Sequence, residues 1–407
     1  MKKTLSLILA LCLGFSLTAC SSEPEPTTVP TTEPTSAPTV PPTDAPTEPS
    51  VPETTEPTVA EVIHDLPMTA ISITEQTEVT NGKDGTPVFE YTYQNIRLVL
   101  PDPEMAMAVN LDILNRIDAT RADATELMND AVSADPQYPY TYSIIYEPQR
   151  NDSTVLSLFG RQTVFSGGSI LHSGHGLTYD LTTGKILNLT DILVPSVTAD
   201  VICPLVNDAL SALPEEYYLF DDYTVAVENR FSGDFLSDES WHLSDAGLCF
   251  TFAPYEVAPN SAGFVHAVIP YEKLNGILKD SWFPQERIIP NGQLEVLRFT
   301  QADAGRFEQF AELYLDREGG TYLLHSTGLI YDLTLESGFW NMDGTVFTPE
   351  RTVFRADSLV TSDAVMIQTD VPDVLPNLRI TYTGADGAVT VYLSANGEDG
   401  TPLLLTY

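Results

Sequence analysis

From Ser21 to Thr58 the chain is almost wholly Pro, Thr, Ser, Glu, Val and Ala, with no aromatic and no basic residue. A stretch of that kind cannot bury enough apolar surface to offset the entropy lost on folding. It confines any folded core to the residues from about Val59 onward. Frequent proline favours an extended polyproline II chain, about 3.1 Å per residue. The segment reads as a stalk, and its Thr/Ser-Pro content permits O-glycosylation.

What precedes the stalk is a targeting pattern. Lys2 and Lys3 lead into the apolar run Leu5–Leu17, which is too short to span a bilayer comfortably, and small residues follow. The end of the run, Leu17-Thr18-Ala19-Cys20, resembles a bacterial lipobox. In signals of that kind the cysteine thiol receives a diacylglycerol and becomes the new N-terminus. The resemblance implies a signal over residues 1–19, a lipid on Cys20, a tether over 20–58, and a protein exported and anchored to the extracytoplasmic face of the cell membrane.

The 407-residue chain is 43% hydrophobic, enough for a sizeable core, and carries 19 basic against 57 acidic residues, a net charge of -38. Phosphate backbones would be repelled, which excludes nucleic acid as a partner. A basic partner would be drawn in, although a merely solvated acidic surface has the same composition. With Cys12 in the signal and Cys20 at the anchor, Cys203 and Cys249 remain. Export permits a disulfide between them, and two free thiols are equally compatible with the sequence. No CxxC or Cys/His spacing of a metal site is present, so neither metal nor cofactor is expected.

In the folded part, residues 69–80, 87–100 and 138–148 are rich in β-branched and aromatic residues and predict strands, the first two joined by a turn at Asn81-Gly82 and Asp84-Gly85. Asp102-Pro103 predicts a helix start, and Met107, Leu111, Leu114, Ile117 and Leu127 follow at helical spacing as its expected core face. A second helix is expected around Val201–Leu213. In "GLCFTF", Leu248, Phe250 and Phe252 share one strand face and Cys249 takes the other. After Pro284 the chain reads as short strands with Gly/Asp turns, one of them at Asn396, and one amphipathic helix around Ala304–Leu315.

Two enzyme signatures come close without matching. "HSGH" at His172–His175 and "LFDDYT" at Leu219–Thr224 are similar to the zinc-binding motifs of polysaccharide deacetylases. The histidines are three apart rather than four, they lie in strand-like sequence, and the Asp221-Asp222 pair follows them instead of preceding them. An echo of the segment at Leu324, "LHSTGLIYDLT", has no second histidine. The alternating Leu177, Tyr179 and Leu181 with a Thr183-Gly184 turn predict a hairpin, with His175 at a bend. His64, His242, His266 and His325 are isolated in sequence and read as packing or surface residues. No Gly-x-Ser-x-Gly, P-loop or dinucleotide motif occurs.

Gly174-His175, Tyr179-Asp180-Leu181-Thr182-Thr183-Gly184-Lys185 and Pro254-Tyr255-Glu256-Val257-Ala258-Pro259 with Gly263 occur in that order. Together they resemble the extracellular domain of unknown function shared by RsiV-type anti-sigma factors and PdaC-type peptidoglycan deacetylases, where it precedes the catalytic part. The resemblance implies an α+β fold, a two-lobed antiparallel sheet with packed helices, and binding without catalysis. It divides the folded part into a smaller α+β lobe (59–137), an RsiV-like domain (138–283) and a β-rich C-terminal domain (284–407). Gly174, His175, Tyr179, Asp180, Gly184 and Gly263 would be structural, and Pro254, Tyr255, Glu256, Pro259 and Asn260 would form a binding loop. RsiV-type proteins bind lysozyme, a basic enzyme, so the implied partner is such a protein or a cell-wall glycan. Only Met1-Lys2-Lys3 precede the apolar run and no deacetylase domain follows, so a surface binding module is expected, the alternative being a wall polysaccharide deacetylase or hydrolase. If Cys20 carries the anchor, Cys20→Ser releases the protein into the medium, as fractionation would show; continued membrane retention contradicts the lipid.

Overall fold

The strands β1 (Ala70–Asn81) and β2 (Pro87–Val99) form a long hairpin whose turn uses Gly85 at φ +87°. The structure is a computed structural model that describes residues 68–372, 375–394 and 401–406, so the signal, Cys20 and the stalk lie outside the described residues. Helix α1 (Pro103–Ala134) starts where the sequence requires: Asp102 caps it, accepting from the Glu104 and Met105 amides at 2.9 and 3.2 Å, with Pro103 in the first turn. The helix crosses over the sheet and delivers β3 (Tyr140–Asn151) parallel to β2. Strands β4 (Val155–Phe165), β5 (Ile170–Asp180) and β6 (Lys185–Ile186) continue antiparallel.

Three helices follow, α2 (Leu189–Ile192), α3 (Ala199–Ser211, with Pro204 inside it) and α4 (Tyr223–Phe231). They cover a three-stranded sheet of β7 (Trp241–Leu243), β8 (Gly247–Phe252) and β9 (Val265–Pro270). Next come β10 (Leu294–Arg298), β11 (Gln309–Tyr314), β12 (Gly320–Ser326), β13 (Ile330–Trp340), β14 (Phe347–Leu359), β15 (Asp363–Thr369), β16 (Leu378–Gly384), β17 (Gly387–Ser394) and β18 (Leu403–Leu405). The result is α+β and mostly sheet.

The boundaries expected at 137/138 and 283/284 do not separate sheets. One 11-stranded sheet runs β18-β17-β16-β13-β14-β1-β2-β3-β4-β5-β6, so all three expected segments contribute to it. Its two halves meet where Ala70, Ile71 and Ser72 of β1 pair with Ala356, Arg355 and Phe354 of β14. Asn151 reinforces that seam by donating to the Thr69 carbonyl at 3.0 Å. A four-stranded sheet, β10-β12-β15-β11, packs its Leu313, Leu324, Val365 and Ile367 with Leu333, Leu335, Phe354 and Ile380 of the large sheet.

Two expectations about pattern fail for identifiable reasons. The face of α1 that packs on the sheet is Ala106, Val109, Ile113 and Ile117, whereas Met107, Leu111 and Leu114 are 66%, 55% and 49% exposed. The helix has two apolar stripes, and Asn110 selects between them by bonding both the amide and the carbonyl of Leu98 at the end of β2. The helix expected around Ala304–Leu315 is instead a single 3-10 turn followed by β11. There Ala311 and Leu313 are buried with Glu312 between them, and the open edge of β15 pairs with them in parallel, so the two-residue period overrides the helical one. The turn expected at Asn396 lies outside the described residues.

The three-stranded sheet docks onto β4 and β5 through backbone. The Gly176 amide donates to the Glu239 carbonyl at 2.8 Å, and a Cβ on Gly176 would lie 1.5 Å from the Trp241 carbonyl oxygen. Ser240 donates to the Gly174 carbonyl at 2.9 Å, and the Leu243 amide donates to Ser157 Oγ at 3.0 Å. Because backbone cannot yield as a side chain can, Gly176→Ala is expected to cost at least the upper end of the ~1–3 kcal/mol typical of overpacking. Gly168→Ala, with nothing within 4 Å of its Cβ, is the control in urea unfolding.

Asp363, 2% exposed, accepts from the Val360 amide and from Ser362, neither of them cationic, and burial pushes its carboxyl up to about 6. That lies above an unfolded value of about 3.9, so its contribution to stability is full below pH ~4 and is lost as the pH rises through 6. Asp363→Asn should therefore be more stable than the parent at pH 7 and lose this part of the pH dependence in denaturation series from pH 4 to 7.

Candidate functional site

The paired histidines do not assemble a zinc site. His175 lies within β5 rather than at a bend, and a residue three positions away on a strand faces the other side of the sheet. His175 Nε2 is 3.0 Å from the Tyr146 hydroxyl, and burial holds its imidazole below the ordinary value. His172 Nδ1 is 3.3 Å from Thr163 Oγ1, with its ring against Phe264. Asp221 and Asp222 sit exposed at the start of α4. The echo at Leu324 does not repeat the local structure either. The first copy is one continuous strand, whereas the second ends β12 at Ser326 and restarts as β13 at Ile330.

The remaining motif residues have structural work. Tyr179 is fully buried and donates to Asp112 on α1 at 2.8 Å. Asp180 builds the turn into β6 by accepting from the Thr182 amide and from the hydroxyls of Thr182 and Thr183. Gly184 takes φ +68° beneath Met105 of α1, where a Cβ would meet Sδ at 2.6 Å. Gly174 passes between the rings of Phe159 and Phe264, and Gly263 takes φ +66°.

The loop Pro254–Gly263 joins β8 to β9 and is held from beneath. Val257 and Ala258 are buried, and the Phe220 amide donates to the Val257 carbonyl at 2.9 Å. Glu256 folds back to accept from the Ala253 amide, and the Tyr255 amide bonds Ala258 at 3.0 Å. This tight turn leaves Tyr255 at φ +71° and 70% exposed, with Asn260 exposed and Pro254 and Pro259 half-buried. Through Phe220 the loop is tied to a second one, residues 214–222, which presents Tyr218 at φ +49° and 71% exposed. Left-handed backbone is costly for a bulky side chain. Among the described residues four non-glycines adopt it, and two of them are these exposed tyrosines on joined loops. Around them Glu215, Glu216, Asp221, Asp222 and Glu256 are exposed, and neither loop contains a basic residue.

A third feature escapes a reading of sequence spacing. His242 on β7, Cys249 on β8 and His266 on β9 come together on one face of the three-stranded sheet, each offering a ligand atom within 4.8 Å of the others. Register explains it: His242 pairs with Cys249, and His266 pairs with Thr251, two residues along the same face. The opposite face, carrying Leu248, Phe250 and Phe252, packs on the helices. Cys249 Sγ is 3.8 Å from His266 Nδ1, which also lies 2.9 Å from Thr251 Oγ1. Phe159 of β4 covers both imidazoles, with ring centroids 5.5 and 4.9 Å away. Burial pushes the Cys249 thiol up to about 12 and the imidazoles of His242 and His266 down to about 3 and 4, so all three are neutral near pH 7 without an ion. Cys203 and Cys249 are both free thiols.

A cleft lined by Arg150, Asp152, Asp245, Arg287, Arg355 and Asp357 pairs its charges internally. Buried Arg150 donates to Asp152, the Tyr271 hydroxyl and the Trp282 carbonyl, binding β3 to the segment that leaves the three-stranded sheet. Such a knot is structural in character.

The fold and these sites define a sheet-rich α+β protein with two joined aromatic loops and no catalytic set at the motifs that suggested one. Residues 190–272 match the family model described as "Protein of unknown function (DUF3298)". That span contains the Pro254–Gly263 loop, the 214–222 loop and the His/Cys cluster, and it begins just after the Gly174–Lys185 motif. Similar solved structures include a DUF3298 family member from Bacteroides fragilis, at 17% identity and TM-score 0.39, covering 52% of this chain and 94% of that one. Another is a DUF3298 family protein from Pseudomonas aeruginosa PAO1, at 18% identity and TM-score 0.37, covering 54% of this chain and 98% of that one. No curated protein matches.

Proposed function

We propose that this chain is a non-catalytic surface lipoprotein whose RsiV/PdaC-like, two-lobed body is held off the membrane by the Pro/Thr stalk and captures a basic extracellular protein of the lysozyme kind. The observation that carries the reading is the pair of exposed tyrosines, Tyr218 and Tyr255, held in left-handed backbone on two loops joined by the Phe220–Val257 hydrogen bond. Strain of this type persists only where the surroundings over-determine it, and rigid aromatic side chains make good contact anchors. The five exposed carboxylates around them supply a field that would steer a cationic partner.

The two roles of Tyr255, in folding and in contact, can be separated. Tyr255→Gly removes the side chain and relieves the backbone, so it should leave stability equal or raise it by up to about 1 kcal/mol. The same change should weaken retention of lysozyme on immobilised protein at least tenfold at moderate salt. Parent protein should bind lysozyme more tightly at low salt than at moderate salt. Absence of binding at both salts removes lysozyme as the partner, and binding to purified wall glycan instead transfers the loops to that ligand.

A further inference from the structure

We propose that His242, Cys249 and His266 form a three-coordinate site for a single thiophilic metal ion, with Cu(I) the ion that fits. This inference does not depend on the binding role of the loops.

The donor set is one sulfur and two imidazole nitrogens, a combination that suits soft or borderline transition metals and not magnesium or calcium. Spacing agrees: donors bonded at about 2.3 Å (sulfur) and about 2.0 Å (nitrogen) around one trigonal ion sit about 3.7 Å apart. Cys249 Sγ and His266 Nδ1 are 3.8 Å apart as they stand, and all three ligand atoms lie within 4.8 Å, so modest side-chain adjustment closes the set.

A second observation points to a ligand. His242 is 1% exposed, and its Nδ1 has no hydrogen-bond partner among the described residues. An orphaned polar atom of that kind is costly and needs a reason. Among the described residues no carboxylate belongs to the cluster, Phe159 roofs it, and the neighbouring Thr251 Oγ1 is only a weak hydroxyl donor. Structural zinc sites are almost always four-coordinate, whereas Cu(I) is content with three donors, one soft thiolate and two borderline imidazoles, in a dry pocket. His266 is only half-buried and marks the side from which the ion would enter. Binding forms a copper–sulfur bond and breaks the Cys249 S–H bond. The proton leaves to solvent, and no electron is transferred.

The test uses the purified full chain with Cys12→Ser, Cys20→Ser and Cys203→Ser, which leaves Cys249 as its single thiol. Under anaerobic conditions it is titrated with Cu(I) against a chromophoric Cu(I) chelator, and in parallel with Zn(II). The expected result is one Cu(I) per chain, weakened more than about 100-fold by Cys249→Ala or by His266→Gln, beyond the effect of losing a merely supporting residue. If those variants do not fold, X-ray absorption of the Cu(I)-loaded parent decides: one sulfur near about 2.3 Å with two imidazole nitrogens is expected. Failure to bind Cu(I), preference for Zn(II), or a copper environment without sulfur overturns the proposal.

Discussion

The approach of β5 to β7 is the contact on which the rest of the molecule depends. Backbone meets backbone there, because residue 176 has no side chain and its amide bonds the Glu239 carbonyl directly. Glycine costs conformational entropy inside a strand, so its presence marks a place where another chain segment must come close. The contact seats the three-stranded sheet and its helices on one end of the large sheet. It also buries the inner face of β8, which is why a cysteine and two histidines are enclosed there rather than solvated.

Seating that unit fixes what lies at its outer side. The loops 214–222 and 254–263 follow α3 and β8 and are joined by the Phe220–Val257 bond into one surface. Holding Tyr218 and Tyr255 in left-handed backbone costs about 1–3 kcal/mol each, drawn from the stability of the packed unit beneath. Buried Val257 and Ala258 supply the grip that makes such strain sustainable. In the proposed recognition, a pre-set pair of aromatic anchors would lose little entropy on binding, and the surrounding acidic field would add rate and selectivity for a cationic partner.

Much of this was legible in the sequence. Asp102-Pro103 marked the start of α1, and the alternation of Leu248, Cys249, Phe250 and Phe252 placed Cys249 on the face away from the helices. The β5–β6 turn was announced by Thr183-Gly184. Other features depend on contacts between distant segments. Periodicity showed that α1 was amphipathic but could not choose between its two stripes, because Asn110 makes that choice against Leu98. The strand β11 took its state from the edge of β15, and the shared sheet rests on three residue pairs between β1 and β14. The His/Cys cluster was hidden because its members are spread from residue 242 to 266 and meet only through strand register. Its available signal was that His242, Cys249 and His266 all sit at the out-of-phase positions of three largely apolar strands.

The central proposal is that partner recognition belongs to one surface made of two joined loops. Amide hydrogen exchange followed with and without lysozyme tests it most directly, since it locates contact without altering any residue. The account predicts slowed exchange concentrated at residues 215–222 and 254–263, with α1 and the four-stranded sheet unchanged. Protection confined to α1 or to the Arg150–Arg287 cleft, or no protection at all, would contradict it.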